Sequence, residues 1–329
     1  MKILVIRFSS IGDIVLTTPI LTAIKKKYPK AEIDFVTLKR FKDAISGNKN
    51  IDNLILFDKE KYKGIIGIYK FSKEIKLNNY DVIIDLHSKI RSKMLSKFIG
   101  VKTYRYKKRS WWKTFLVKMR LIKYSVDDTI VNNYFGAVKK GLGIIKNSEK
   151  IEFNFTKKDL EKVEKYKNSI VFAPGASKET KKWPKENFGE LGKLLLEKNE
   201  KKIILIGSKK EYEELEVIKK IAGDNVINLA GELTLKESGA LMSQAEFVLT
   251  NDSGPFHIAR GVGSKVFVIF GPTDPNMFAY DERSVLLYEN VNCSPCSLHG
   301  DEECPKKHFD CMRKLTAKKV YNIIKEPKK

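Results

Sequence analysis

Apolar runs of strand length, each followed by an amphipathic stretch of helix length, recur along most of this chain. A strand that returns to its own sheet through a helix must lie parallel to its neighbour, so the alternation calls for parallel sheets covered by helices. Residues 2–7 read as a first strand and 13–27 as a helix, with Ile14, Leu16, Ile20, Leu21 and Ile24 at helical spacing. Strands are predicted at 33–36, 54–57 and 82–86, separated by lysine-rich helical segments. Around 147–168 the pattern turns charged and irregular, with 152–155 as a candidate strand, and the domain junction is placed there. The alternation then restarts with strands at 170–173, 203–206, 226–229, 247–250 and 266–270 and helices at 188–197, 211–222, 235–243 and 255–261. The expected fold class is α/β, with two Rossmann-like, doubly wound domains over 1–160 and 161–329 facing a central cleft. Ligands should bind beyond the carboxyl ends of the strands. A last helix at 316–325 is expected to pack back on the first domain.

Charge is distributed unevenly over this pattern. The 329 residues carry 63 Lys plus Arg against 40 Asp plus Glu, and residues 1–150 hold 33 basic and 13 acidic side chains. The front half is therefore +20 and the back half +3. With 42% hydrophobic and 10% aromatic residues, both halves can build cores, which excludes a disordered basic tail protein. Thirteen Lys or Arg and no acid fall within 89–123, interleaved with Tyr104, Tyr106, Trp111, Trp112 and Phe115. Such a basic, aromatic surface suits an anionic membrane, and nucleic acid is the rival partner. No run approaches the roughly 20 apolar residues of a membrane span. The opening run is too short for a signal peptide, and the four cysteines all follow residue 290. A cytoplasmic protein, peripheral to the membrane, is expected.

Five segments carry chemistry. The turn Phe8-Ser9-Ser10-Ile11-Gly12-Asp13 ends the first strand. There Asp13 reads either as an acid favoured by a helix start or as a general base. The loop Pro174-Gly175-Ala176-Ser177, continuing through Lys181 to Trp183-Pro184, offers backbone and a point charge to a phosphate, or is solvated surface. The turn Thr250-Asn251-Asp252-Ser253-Gly254-Pro255-Phe256-His257 starts a helix suited to a diphosphate, or simply caps it around a satisfied histidine. Gly271-Pro272-Thr273 adds a turn at the same rim. Cys293, Cys296, Cys304 and Cys311 could hold zinc or an iron-sulfur cluster. Their second pair is spaced more loosely than in zinc fingers, which favours a structural or redox-labile thiol cluster. The fifth segment is the basic stretch 89–123.

Taken in order and spacing, the Ser-Ser-Ile-Gly-Asp turn, the Pro-Gly-Ala-Ser loop with Lys-x-Trp-Pro, the Asp-Ser-Gly-Pro-x-His turn and the Gly-Pro-Thr rim resemble the ADP-heptose:lipopolysaccharide heptosyltransferases of glycosyltransferase family 9. The cysteine segment is similar to the tail of the type II and III members. The resemblance implies a GT-B fold, with the acceptor on the first domain and an ADP-sugar on the second. It implies an inverting transferase that moves heptose from ADP-L-glycero-D-manno-heptose to the Kdo/heptose-lipid A inner core. By position, Asp13 matches the catalytic carboxylate and Lys181 the lysine at the donor phosphate. Ser177 matches a hydroxyl at the phosphates, Asp252, Ser253, Gly254 and His257 the diphosphate turn, Glu211 a ribose contact and Leu233 an adenine-flanking position. Ala176 stands where some members carry a second hydroxyl. No cofactor or metal is required in this reading, and its partners are the ADP-sugar, the lipid A-core acceptor and the anionic inner membrane, not nucleic acid. A family transferase using another nucleotide sugar and a basic nucleic-acid-binding protein are the alternatives.

Overall fold

The structure, a computed structural model, describes residues 1–106, 117, 126–146, 150–197 and 201–326. These fall into two units, the first of residues 1–106, 128–146 and 150–154 and the second of residues 117, 126–127, 155–197 and 201–326.

In the first unit, β1 (Lys2–Ile6), β2 (Glu32–Leu38), β3 (Asn53–Phe57), β4 (Val82–Asp85) and β5 (Thr103–Arg105) form one parallel sheet in the order β3-β2-β1-β4-β5. The connecting helices are α1 (Ile11–Val15), α2 (Thr18–Lys27), α3 (Gly64–Lys76) and α4 (Ile90–Ile99), and α5 (Ile130–Leu142) packs on α2 and β5. The strands are buried almost without break, as in a sheet covered on both faces. Leu4, Ile6, Phe8, Val36, Phe57, Phe71, Ile83 and Leu95 share one core.

One expected helix is two. The segment 13–27 breaks at residues 16–17 because Pro19 has no N–H to offer the carbonyl of Val15, and the hydroxyl of Thr18 donates to that carbonyl instead, at 2.8 Å. The expected strand at 152–155 is absent, since the amide of Glu152 donates to Thr18 Oγ1 at 2.9 Å and not to a strand neighbour.

The second unit repeats the design with six parallel strands: β6 (Ile170–Ala173), β7 (Ile203–Leu205), β8 (Val226–Asn228), β9 (Phe247–Asn251), β10 (Val266–Phe270) and β11 (Ser284–Tyr288), in the order β11-β10-β9-β6-β7-β8. Its helices are α6 (Lys157–Val163), α7 (Lys185–Leu196), α8 (Tyr212–Ala222), α9 (Leu235–Gln244), α10 (Gly254–Gly261), α11 (Asp310–Arg313) and α12 (Ala317–Lys325). Thr156 caps α6, which packs on α9 through a Lys162–Glu237 ion pair at 2.7 Å, so the division falls before this helix and not at residue 160.

The last helix packs on the core of its own unit. Ala317 and Val320 of α12 are buried in the second unit's core with Trp183, Leu191 and Leu195, and the Trp183 indole donates to the carbonyl of Leu315 at 2.7 Å. Met312, just before it, is fully buried against Gly271, where a Cβ would come within 2.7 Å of the Met312 methyl carbon. The C-terminal segment thus closes the apolar face of the second sheet. Met312→Ala should lower the unfolding free energy by about 2–5 kcal/mol, read as a shift of the urea midpoint at unchanged slope. A shift within error would show that this segment does not seal the core.

Candidate functional site

Each sheet has a point where the crossovers leave in opposite directions, between β1 and β4 in the first unit and between β9 and β6 in the second. Loops beyond the carboxyl ends of the strands at such points are the natural ligand sites.

In the first unit that place is taken by Asp13, the third residue of α1. Three donors converge on its Oδ2: Arg7 Nη2 at 2.6 Å, the Ser10 amide at 3.2 Å and the Ser10 hydroxyl at 3.0 Å. Among the described residues none bonds Oδ1, and 30% of the side chain is exposed. Burial pushes the carboxyl pKa up, but the Arg7 cation and the Ser10 hydrogen bonds overcome it and hold the pKa at about 2. Asp13 is therefore anionic at any working pH. It is at once the capping acid and a candidate base.

Arg7 was not singled out in the sequence, although it is the charge that interrupts the first apolar run. It is buried, donates to the carbonyl of Leu86 and lies over the Tyr134 ring at 5.5 Å. Burial lowers its pKa and the Asp13 carboxylate more than restores it, so the guanidinium stays charged. Arg40, Lys59 and Arg91 sit on the loops after β2 and β3 and at the start of α4, on the same edge of the sheet. The Lys59 ammonium is depressed by burial and by the charges of Arg40 and Arg91, which places both guanidinium groups within range of it.

In the second unit every candidate falls at the carboxyl edge of the sheet. Asn251, the last residue of β9, ties two loop ends together: its side chain donates to the carbonyl of Pro174 and accepts from the amide of Trp183 at 3.1 Å. Between those anchors the loop carries Ser177, which is exposed, and Lys181, whose ammonium meets Asp252 Oδ2 at 2.8 Å in a mostly buried pair. The Thr273 hydroxyl donates to the same oxygen at 2.8 Å, which gives the Gly-Pro-Thr rim a specific task. Ser253 precedes α10 without capping it through its side chain, so the first amides at Gly254 are left to other acceptors. His257 is buried one turn in, edge-on to Phe278 at 4.7 Å.

Glu211 ends a short 3₁₀ turn, and is not the first residue of α8 as expected. Its Oε2 accepts from the Ser208 amide at 2.6 Å and the Ser208 hydroxyl at 2.7 Å. It also lies against Gly175, where a Cβ would stand 2.0 Å from Glu211 Oε1. Leu233 is half-buried in the loop after β8. The structure therefore joins Lys181 to Asp252, and Glu211 to the Gly175 loop, while Ser177 and Leu233 share their edge without a direct bond to them.

The four cysteines are free thiols. All four line one small cavity with Thr180, Pro272 and His308, and Cys293 Sγ lies 3.7 Å from His308 Nε2. Burial, and then the neighbouring cysteines, push the Cys311 thiol up to about 12. Among the described residues no three His, Cys, Asp or Glu side chains are arranged to hold a metal ion. Lys107, Lys108, Arg109, Lys113, Lys118, Arg120 and Lys123 of the basic segment lie outside the described residues.

Residues 68–307 match the family model for glycosyltransferase family 9 (heptosyltransferase). The lipopolysaccharide heptosyltransferase 1 of Campylobacter coli is 26% identical, over 99% of this chain and 98% of the relative. Among solved structures, a glycosyltransferase family 9 protein from Veillonella parvula superposes with a TM-score of 0.80 at 22% identity, covering 98% of this chain and 95% of that one. The E. coli heptosyltransferase WaaC with ADP-2-deoxy-2-fluoro heptose gives 0.71 at 20% identity, covering 98% and 99%.

The packing of Gly175 against Glu211 makes a test that needs no substrate. Gly175→Ala should lower the thermal midpoint, and the same change in a Glu211→Ala background should cost clearly less, because the clash partner is gone. Equal cost in both backgrounds would mean that the two do not meet.

Proposed function

The chain belongs to glycosyltransferase family 9, and from that premise we propose that it transfers heptose from ADP-L-glycero-D-manno-heptose to the inner core of lipopolysaccharide, with Asp13 as the base. The family match over 68–307 carries the transferase reading, and the two sheet edges supply its chemistry.

Asp13 takes the proton of the acceptor hydroxyl as that oxygen attacks the anomeric carbon on the face opposite ADP, which inverts the centre. A carboxylate with a pKa near 2 is a weak base, and the reaction suits one. As the new C–O bond forms, the attacking oxygen becomes positive and its proton acidic enough for such a base. Transfer to Oδ1 therefore comes late in bond formation, while Arg7 and Ser10 fix Oδ2 and with it the plane of the carboxylate.

On the donor side, Lys181 meets the charge that develops on the leaving diphosphate, together with the free amides at the start of α10. No step is routed through a metal. Asp252 acts as a positioning group: with one oxygen held by both Lys181 and Thr273, it fixes the ammonium and is itself neutralised. Glu211 is assigned to the ribose, Ser177 to a phosphate, Leu233 to the adenine, and Ser253, Gly254 and His257 to the diphosphate turn. Arg40, Lys59 and Arg91 are assigned to the anionic groups of the acceptor. The enzyme works at the inner face of the membrane that carries its acceptor, and the basic segment 89–123 contributes to that attraction.

Asp13→Asn should reduce transfer from ADP-heptose by about 10²–10⁴-fold while leaving ADP affinity unchanged, measured by product formation and calorimetry. Near-normal transfer would remove Asp13 from the mechanism. UDP- and GDP-sugars should fail as donors in the same assay, and turnover of one of them in preference to ADP-heptose would favour another family 9 activity. The pH profile is a second check. Because Asp13 is ionised above about pH 2, wild-type kcat/KM should show no acid limb from it at pH 5 and above. Arg7→Met removes the charge that opposes burial, so the carboxyl pKa must rise and an acid limb should enter the accessible range.

A further inference from the structure

The outer face of α3 is apolar where a soluble helix is ordinarily polar. The inner face, Gly67, Ile68, Phe71, Ser72 and Ile75, is buried against the first sheet. On the opposite side Ile65 is 62% exposed, Ile66 72%, Tyr69 45% and Leu77 79%. Lys70, Lys73 and Lys76 are exposed on the same side. At helical spacing, positions 66, 70, 73 and 77 line one stripe and 65, 69, 73 and 76 the next, so isoleucine and tyrosine at the N-terminal end give way to lysine along a single face about 16 Å long. The neighbouring helix α4, which meets α3 through the rings of Tyr69 and Phe98 at 5.4 Å, adds exposed Ile90, Lys89, Lys93 and Lys97.

The charge of this face is uncompensated. Glu74 accepts from the Tyr62 hydroxyl at 2.5 Å and pairs with Lys61, Glu60 pairs with Lys63, and Asp58 pairs with Lys39. The acids that share the surface are thus already engaged, and Lys70, Lys73 and Lys76 have no ion-pair partner among the described residues. Large apolar side chains standing clear of the surface beside unpaired lysines fit a bilayer interface, where the apolar groups enter the acyl boundary and the ammonium groups meet lipid phosphates.

We propose that the outer face of α3 is the membrane-docking surface of this enzyme, and that its occupant is an anionic phospholipid bilayer. The proposal rests on the reading of the protein as a transferase acting on a membrane-borne acceptor. It differs from charge attraction through 89–123 in requiring insertion of Ile65, Ile66 and Tyr69.

The test is co-sedimentation of the full chain with vesicles of phosphatidylethanolamine and phosphatidylglycerol, against pure phosphatidylcholine vesicles. Wild type should partition onto the anionic vesicles, and both Ile65→Ser/Ile66→Ser/Tyr69→Ser and Lys70→Gln/Lys73→Gln/Lys76→Gln should bind them more weakly, on the order of tenfold or more. Ile66→Trp should bind more tightly than wild type. ADP affinity and transfer to a water-soluble, delipidated core acceptor should be unchanged in every variant, which shows that the variants are folded. Failure of that soluble transfer by wild type would count against the transferase reading and not against docking. Docking on α3 is overturned if wild type ignores anionic vesicles, or if the serine variant binds them as well as wild type does. It is equally overturned if sedimentation velocity without lipid finds a dimer that the serine variant dissolves, because the face would then join two copies of this chain.

Discussion

A parallel strand cannot return to its sheet without a crossover, and this constraint orders everything else in the molecule. In both sheets every neighbouring pair is parallel, so every strand delivers its following loop to the same edge. Residues far apart in sequence, such as Lys181, Glu211 and Asp252, come to one rim because β6, β7 and β9 end there. At that rim the backbone runs out of ladder partners and side chains take over. Asn251 is the clearest case. It closes the loop between Pro174 and Trp183 with its amide, and so fixes where Lys181 emerges.

At both edges the charge assigned to catalysis is held by an opposite charge before any ligand arrives. Arg7 holds Asp13, and Asp252 holds Lys181. The two pairs lie in partly or largely buried surroundings, where a lone charge would be costly and would shift its protonation instead. Pairing offsets the burial that pushes the Asp13 carboxyl pKa up, and it fixes the geometry of both groups. Base strength is given up in return. An inverting displacement tolerates this, because the acidity of the attacking hydroxyl is created by the reaction.

The strands and most helices were legible in the sequence because apolar runs and their spacing report burial directly, and the candidate residues because they occupy turns with restricted backbone. What was not legible depended on partners remote in the chain. Nothing near Arg7 announces that it bonds Leu86 and stacks on Tyr134, and nothing near Thr273 that it bonds Asp252. The apolar stripe of the final helix states only that it is covered, not by what; within the second unit Trp183 and Leu191 supply that cover. The break before Pro19 was within reach of local reasoning, since a proline inside a helix removes one hydrogen bond at a known place. The short strands β5 and β11 stand at sheet edges, where partial burial erodes the apolar signal.

The surplus of positive charge in the front half has a structural origin beyond its count. Acids of the first unit are engaged in holding the fold. Asp34 is fully buried and accepts from the Tyr80 hydroxyl at 2.7 Å and the Asn53 amide at 2.8 Å. Asp52 caps the edge of β2 through the Ile33 amide and pairs with Lys25. Asp85 receives the amides of His87 and Ser88 and the guanidinium of Arg105. These carboxylates keep their charge, but their positions are set by the groups they bind inside the unit and not by the lysines of α3. Lys70, Lys73 and Lys76 of α3 therefore face solvent without an acidic partner among the described residues. In the second unit acids and bases are nearly matched in number, and the positive groups at the rim, Lys181 and the amides at Gly254, are few and placed. A single diphosphate calls for placed charge, whereas an extended anionic surface calls for a field, and the two units differ in that sense.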